Sequence, residues 1–402
     1  MMDLINRIKE LSRNYFEEVV FFRRHFHASP ELSMQEHRTA SFVAARLNEM
    51  GIPCEEGVAQ TGVVGVIEGR DPSSALLALR ADMDALPIHE KNRVDYKSAN
   101  PGVMHACGHD VHMASLLGTA RILRGLRDHW HGTVKLVFQP SEEKYPGGAS
   151  MMLEEGVLDN PRPGAIFGQH VFPGLPAGKA GIRSGPYMAS ADEVYITVKG
   201  KGGHAAKPEQ NIDPIVIASH IVLALQQIVS RNATPYIPTV LSFGRITGDG
   251  QTNVIPDEVK LEGTFRTFDE DWRRKAHLRI RETAVFIAQG MGGDCEVFID
   301  QGYPYLVNNQ RLADHFRRYA TDYLGAGNVE ELDLSMTAED FAFYSQKMDA
   351  CFYRLGVRNV EKGITSNLHT ATFDVDEKAL ETGMGLMAYT AIMELANLSQ
   401  RG

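Results

Sequence analysis

The chain has little cysteine and no long apolar run, and both shortages narrow what it can be. Its four cysteines, Cys54, Cys107, Cys295 and Cys351, are too few and too scattered for a disulfide framework. A reduced, cytoplasmic compartment fits that usage, and a thiolate ligand would survive there. No uninterrupted apolar stretch approaches the ~18 residues of a membrane span. The opening segment, Met1 to Ala28, is charged throughout and lacks the apolar core of a signal peptide. There is no basic tract either, and a net charge of −10 argues against a nucleic-acid footprint. Internal repeats and low-complexity segments are also missing. What remains is ordinary for a globular protein, with 43% hydrophobic and 23% charged residues. At 402 residues the chain exceeds what one core usually supports, so two domains are expected.

Hydrophobic periodicity places those domains. Leu4, Ile8, Leu11, Tyr15, Val19 and Phe22 recur at steps of three and four, which predicts one long helix over Asp3 to His27. A second helix is predicted over Ser33 to Met50, stopped by Gly51-Ile52-Pro53. Runs at Gly62 to Ile67, Ala75 to Arg80, Gly132 to Gln139 and Ala165 to His170 read as strands, and His112 to Leu126 reads as a helix. Strands alternating with helices predict an α/β layer, a mostly parallel central sheet flanked by helices. Ligands of such sheets gather at the carboxyl ends of strands, where Asp82, Glu142, Glu143 and His170 fall.

The pattern changes near Tyr187. Glu193 to Lys199 alternates apolar and polar residues, as a half-exposed strand does. An apolar helix over Asp213 to Ser230 follows, then strands over Thr239 to Thr247 and Glu258 to Phe268, a helix over Asp271 to Gln289, and a strand over Asp294 to Gln301. That order is the split pattern of a ferredoxin-like α+β domain. After Gln310 the α/β character returns and ends in an apolar helix over Glu377 to Leu398. The expectation is a discontinuous catalytic domain, residues 1–187 and 304–402, interrupted by a small domain at residues 188–303.

The richest segment is Met104-His-Ala-Cys-Gly-His-Asp-Val-His112, which packs a thiol, a carboxylate and three imidazoles around a glycine. Only Gly108 separates Cys107 from His109, and a glycine permits the turn that would converge both donors on a metal. Glu142-Glu143 follows an apolar strand and Pro140, and His170 and His369 stand in separate short motifs. Together these donors make a ligand set for one or two divalent metals. A glutamate left unligated beside them would take a proton from water and pass it to a leaving amine. A thiolate favours zinc, while imidazole and carboxylate also accept manganese, cobalt or nickel. Cys107 as a nucleophile paired with a histidine is a competing reading.

Other polar residues carry weaker signals. His105 and His112 read as packing residues or supports of ligands. His204 stands among glycines and alanines that would allow close approach to a carbonyl oxygen, where it could stabilise an oxyanion. Arg266 could pair with a substrate carboxylate and Asn253 could hydrogen-bond it, although an ordinary sheet-surface arginine explains Arg266 as well. Thr337 and Asp340 fit a capping box that opens a helix. The apolar Asp213 to Ser230 helix, beside an open edge strand, suits a two-fold homodimer.

The segments RRHFHASPEL (Arg23 to Leu32), LRADMDALPI (Leu79 to Ile88), MHACGHDVH (Met104 to His112), FQPSEEKYPGGA (Phe138 to Ala149), GQHVFP (Gly168 to Pro173), VKGKGGHAAKP (Val198 to Pro208), Asn253 to Arg266, TAEDF (Thr337 to Phe341) and NLHTATF (Asn367 to Phe373) resemble one family almost end to end. It is the aminoacylase/carboxypeptidase family of dinuclear-metal amidohydrolases, and the chain is most similar to its hippurate-hydrolase and auxin-conjugate-hydrolase subgroup. The resemblance implies Cys107, His109, Glu143, His170 and His369 as metal ligands and Glu142 as general base. It implies Asp84 as the residue orienting them, and His204 in a lid and dimerisation domain. Its activity would be hydrolysis of N-acyl (acetyl or aryl) amino acids to a carboxylic acid and a free amino acid. The alternatives are a metallo-carboxypeptidase or dipeptidase, and a catalytically silent binding protein. Two departures stand out. Lys144-Tyr145-Pro146 intervenes where the family usually continues Glu-Glu with glycine, and Asp82 stands where distant relatives place a histidine ligand. Asp82 is therefore not counted among the ligands.

Overall fold

The computed structural model describes residues 2–400; Met1, Arg401 and Gly402, at the ends of the predicted catalytic domain, lie outside the described residues. The chain forms two compact units. One comprises Met1–Gly185, Val307–Asp333 and Asp340–Gly402, and the other Pro186–Leu306 with Leu334–Glu339. The short Leu334–Glu339 piece groups with the inserted unit, whereas the sequence pattern assigns it to the first. Ser335 is the reason: its backbone bonds Tyr187 and Ala189.

The first unit is built on an eight-stranded sheet. Its order is Cys54–Val58, Gly62–Glu68, Thr133–Gln139, Leu76–Asp82, Ala165–Pro176, Ala350–Arg358, Ala180–Ile182 and Val329–Glu331. The four central strands, Thr133–Gln139 through Ala350–Arg358, are mutually parallel. Gly62–Glu68 and Cys54–Val58 extend the sheet antiparallel on one side, and Ala180–Ile182 turns antiparallel on the other. Every residue of Thr133–Gln139 is buried, as expected of a strand covered on both faces. The helix His109–Gly125 is also almost wholly buried, packed against Phe16–Ala28 and Lys378–Ser399.

Two predicted helices are corrected. The long N-terminal helix is two, Met2–Asn14 and Phe16–Ala28, broken at Tyr15. The first segment packs on Lys378–Ser399 and the second chiefly on His109–Gly125, so one straight rod would not serve both. The next helix starts at His37 rather than Ser33. Residues 30–36 stay irregular because their polar groups are engaged elsewhere: Ser33 with Asp84, and Glu36 with Thr61 and the Ser141 N–H.

The second unit has a four-stranded antiparallel sheet in the order Thr239–Thr247, Glu258–Thr267, Asp192–Lys199, Asp294–Gln301. Helices Pro214–Gln227 and Glu270–Gly290 share its core, with Ile217, Ile221, Leu225 and Ile280 against Val194, Ile196 and Val198. This is the predicted split β-α-β-β-α-β arrangement. Asp213 caps the first helix, accepting from the Ile215 and Val216 N–H groups. Among the described residues one stretch, Pro214–Asn232, is long and apolar enough by length and composition to cross a membrane. It is interrupted by Ser219, His220, Gln226 and Gln227, and one of its faces is the core of this unit.

Candidate metal centre

The site is assembled where the parallel strands of the first unit end. Asp82 and Gln139 pair in register at the carboxyl ends of adjacent strands, and the chain continues to Asp84 and to Glu142-Glu143. The next strand over carries His170. Between strand and helix, Gly108 takes φ 83°, and a Cβ there would meet the Val171 side chain at 2.4 Å. Only glycine serves at this point, and the turn sends Cys107 and His109 to the same place. A backbone bond from the His369 N–H to the Ala106 carbonyl (2.8 Å) adds the His369 loop. Ser141 and His369 both hold left-handed backbone (φ 51° and 59°), a strain that non-glycine residues adopt where the surroundings impose it.

All five predicted ligands converge. The Cys107 thiol lies 3.3 Å from His369 Nε2 and 3.5 Å from His170 Nε2. Glu143 Oε1 lies 3.3 Å from His369 Nε2 and 3.9 Å from His109 Nε2. The partners of the rings assign their tautomers. His109 Nδ1 faces the Asp84 carbonyl at 2.8 Å and His170 Nδ1 the Val171 carbonyl at 2.8 Å, so each Nδ1 carries the proton. Their Nε2 lone pairs then point into the cluster. His112 differs: its Nε2 accepts the Val171 N–H at 2.8 Å while Nδ1 donates to Asp82 at 2.5 Å. Both of its nitrogens are spoken for, so it supports the site from behind. Asp82 is spent likewise, on His112 and on Arg80 Nη1 at 2.6 Å.

The charges in this cluster call for a cation. Burial, then Glu143, Glu142 and Asp82, push the Cys107 thiol well above its usual range. Burial opposes charge on His109, but Asp82, Asp84 and Glu143 prevail and raise it to about 10. Buried acids crowd a thiol, while His109 Nε2 and Glu143 Oε1 are buried without any hydrogen bond. Orphaned buried donors and acceptors are costly. A divalent cation among them reverses the local electrostatics, stabilising thiolate and neutral imidazole together. Soft sulfur, imidazole and carboxylate donors within reach of one another thus fit a bound metal.

Asp84 holds this machinery in place. Its Oδ1 accepts the Glu142 N–H and its Oδ2 the Glu143 N–H, both at 3.0 Å. Ser33 Oγ donates to Oδ2 at 2.6 Å, and His109 Nδ1 lies 3.3 Å from Oδ1. One carboxylate therefore aims both glutamates and one ligand ring. Burial opposes its charge, but His109, then Ser33 and the Glu143 N–H, hold its pKa below the usual value.

The partners of several supporting residues escaped the sequence reading. Arg80 is fully buried and bridges Gln139 (2.9 Å), Asp82 and Asp340 (2.8 Å). Asp340 is no helix cap: it accepts from Arg80, from Gln139 and from the Ala149 N–H, and its own N–H lies 3.4 Å from Glu142 Oε1. The capping-box expectation fails because the buried Arg80 demands a carboxylate more than a four-residue helix, Ala342–Ser345, demands a cap. Glu36 holds the Ser141 N–H at 2.8 Å. His105 is buried with neither ring nitrogen bonded, and burial pushes it down to about 3. The FQP and TAEDF segments were visible, but pairing Arg80 with Asp340, 260 positions away, required the fold.

In the second unit, Gly203–His204 pairs with Val254–Ile255, which sets His204 beside Asn253; the Ala205 N–H bonds the Asn253 carbonyl at 3.0 Å. His204 is exposed, and its Nδ1 accepts the Ala206 N–H at 3.1 Å, leaving the proton on Nε2 as an outward donor. Arg266 stands elsewhere, half-buried on the sheet, with Nε on Thr264 Oγ1 at 3.1 Å.

Fold and site define a metal-binding α/β enzyme with an inserted α+β unit. The chain belongs to Peptidase family M20/M25/M40, whose model matches residues 78–393. It is a hydrolase of amide or peptide bonds, which sets aside the silent binding protein. It is 44% identical over 301 residues to the N-acyl-L-amino acid amidohydrolase of Geobacillus stearothermophilus, covering 75% of this chain and 80% of that one. It is 40% identical to thermostable carboxypeptidase 2 of Saccharolobus solfataricus, covering 97% and 99%. Among solved structures, a dinuclear metal binding peptidase of the M20 family from Bacillus subtilis matches with a TM-score of 0.82 at 35% identity, covering 96% and 99%.

Proposed function

We propose that the protein deacylates N-acyl amino acids, acetyl or aryl, releasing a carboxylic acid and a free amino acid. The observation that carries this reading is the Asp84 clamp, which aims two adjacent glutamates from consecutive backbone N–H groups beside the Cys107–histidine cluster. Cys107, His109, Glu143, His170 and His369 would hold one or two divalent ions, zinc or manganese, with cobalt or nickel also compatible. Held there, the metal would supply Lewis acidity and would lower the pKa of water to about 7. Glu142 takes the proton of the attacking water and delivers it to the leaving amine. Asp84 keeps Glu142 and Glu143 in their separate orientations. His204 would donate from Nε2 to the oxyanion and Asn253 beside it would hydrogen-bond the substrate, while Arg266, elsewhere on the sheet, would pair with the substrate carboxylate. Burial, with Glu143, Glu142 and Asp82 nearby, opposes the free thiolate that Cys107 would need as a nucleophile.

Purified protein is expected to carry one or two equivalents of divalent metal by mass spectrometry. It should cleave N-acetyl and N-benzoyl amino acids, lose that activity on chelation and regain it with zinc or manganese. Hydrolysis that survives chelation would transfer the chemistry to Cys107. A second reading, a metallo-carboxypeptidase, draws on the carboxypeptidase relative; faster cleavage of dipeptides than of acyl amino acids in the same assay would favour it.

We propose further that two copies pair through the inserted unit. Its Pro214–Gln227 helix leaves Ile215, Val216 and Leu223 exposed, and the strands Thr239–Thr247 and Asp294–Gln301 form open edges. Sedimentation velocity should give a dimer rather than the 44.5 kDa monomer, and Leu223→Asp should shift it toward the monomer. A monomeric wild type at micromolar concentration would refute this pairing. A reducing, cytoplasmic location accords with four free cysteines.

A further inference from the structure

A small pocket opens beside the metal centre within the first unit. Its volume is about 270 Å³, and Glu143 forms part of its wall. Leu32, Ala85, Leu86 and Pro87 give it one apolar wall, Ser33 and Gln35 add polar surface, and Lys144 borders it. The wall is firmly held: the Ala85 N–H bonds the Glu31 carbonyl at 2.8 Å, and Leu86 exchanges backbone bonds with Met104 at 3.0 Å each way. Pockets for drug-sized ligands run from about 300 to 1,000 Å³, so this one suits a single short substituent.

Lys144 opens the Lys144-Tyr145-Pro146 stretch that follows the two glutamates. Its backbone is pinned, the carbonyl accepting from the Gly147 N–H at 3.0 Å and from Ser141 Oγ at 3.3 Å. The loop closes at its base through the Gly148 N–H on the Ser141 carbonyl at 2.9 Å, and a Cβ on Gly148 would lie 1.7 Å from the Pro140 carbonyl oxygen. Lys144 is thus anchored at its root, while its side chain is exposed. Among the described residues no carboxylate pairs with its ammonium, although the chain has ten more acids than bases. A cation without a carboxylate partner, on the rim of a pocket with one apolar wall, is a recognition element for an anion at the end of an apolar stem.

We infer that this pocket selects substrates carrying a second carboxylate on a short aliphatic stem, with the stem against Leu32, Ala85, Leu86 and Pro87 and the carboxylate at Lys144. This rests on the deacylase reading and refines it. The stem could come from either side of the scissile amide, from a dicarboxylic acyl group or from an acidic amino-acid side chain. The same pairing serves both.

The test compares kcat/KM for N-acetyl-leucine, N-glutaryl-leucine and N-acetyl-glutamate in the wild type, Lys144→Met, Lys144→Glu and Lys144→Arg. An exposed ion pair is modest, so the ratio of the preferred dicarboxylate to N-acetyl-leucine should fall about fivefold in Lys144→Met, mainly through KM. It should fall further in Lys144→Glu and be retained in Lys144→Arg. Raised salt should erode the wild-type ratio. The arm that loses identifies which side of the amide enters the pocket. A ratio unchanged in Lys144→Met and Lys144→Glu overturns the inference, including the case in which all three substrates lose equally because Lys144 reads the carboxylate they share. Failure of the wild type to cleave any of the three defeats the deacylase reading itself, and this inference with it.

Discussion

Glu142→Gln is expected to lower kcat by about 10²–10⁴-fold, the usual contribution of a positioned general base, with the metal content unchanged. The substitution keeps size and shape in a buried setting, so packing around residue 142 is preserved. It also leaves untouched the backbone N–H that Asp84 holds at 3.0 Å. What it removes is the ability to accept a proton. Glu143→Gln should behave differently and carry metal away with activity, because its Oε1 lies among His109 and His369. Metal content by mass spectrometry beside steady-state rates separates the two outcomes. Metal lost from Glu142→Gln would make residue 142 a ligand, and an unaltered rate would place the base elsewhere.

Arg23→Met is expected to destabilise the first unit by about 3–5 kcal/mol, as removal of one partner of a buried ion pair does. Arg23 is fully buried, with Nε 2.8 Å from Asp110, Nη2 2.8 Å from Asp374 and the guanidinium stacked over Tyr96. Asp110 also receives His27 Nδ1 at 2.7 Å, and the other His27 nitrogen faces Glu90 at 3.2 Å. Burial would raise the Asp110 pKa, but Arg23 and then His27 hold it far below the carboxylate range. Without the guanidinium, a carboxylate in the first turn of the helix bearing His109 is left with His27 alone, and its Oδ1 already lacks a partner. The melting transition of the first unit should fall by about 10 °C. Asp110→Asn in the Arg23→Met background should restore part of the loss by removing the stranded charge. A thermal scan of the single and double variants checks this, and an unshifted transition in Arg23→Met would show that the network holds nothing together.

That network also shows where reading the chain stopped. The RRHFHASPEL segment was recognisable as a motif, yet its role could not be read, because Arg23 meets partners 87 and 351 positions away. Cys107, Gly108 and His109 were legible because donors and turn sit within one short run. The inserted unit was legible because strand alternation and helical periodicity are local properties. Asp340 misled because a threonine followed three positions later by an acid is also a local pattern, and nothing nearby announces the buried Arg80 that claims the carboxylate. The expected single N-terminal helix misled for a similar reason, since periodicity continues through Tyr15 while the packing partner changes.

By itself, then, the amino-acid order determined most of the elements, the two-unit plan and the candidate metal donors, all of which depend on residue types and spacings along a few turns or strands. Only the tertiary structure decided the rest. It set which imidazole nitrogens face the cluster and that one aspartate aims two glutamates. It also showed that Asp82 and His112 are consumed behind the ligands and that an unpaired lysine borders a pocket beside Glu143. These are matters of hydrogen-bond partners brought from distant segments, and a chain reveals them only when burial forces each polar group to find one.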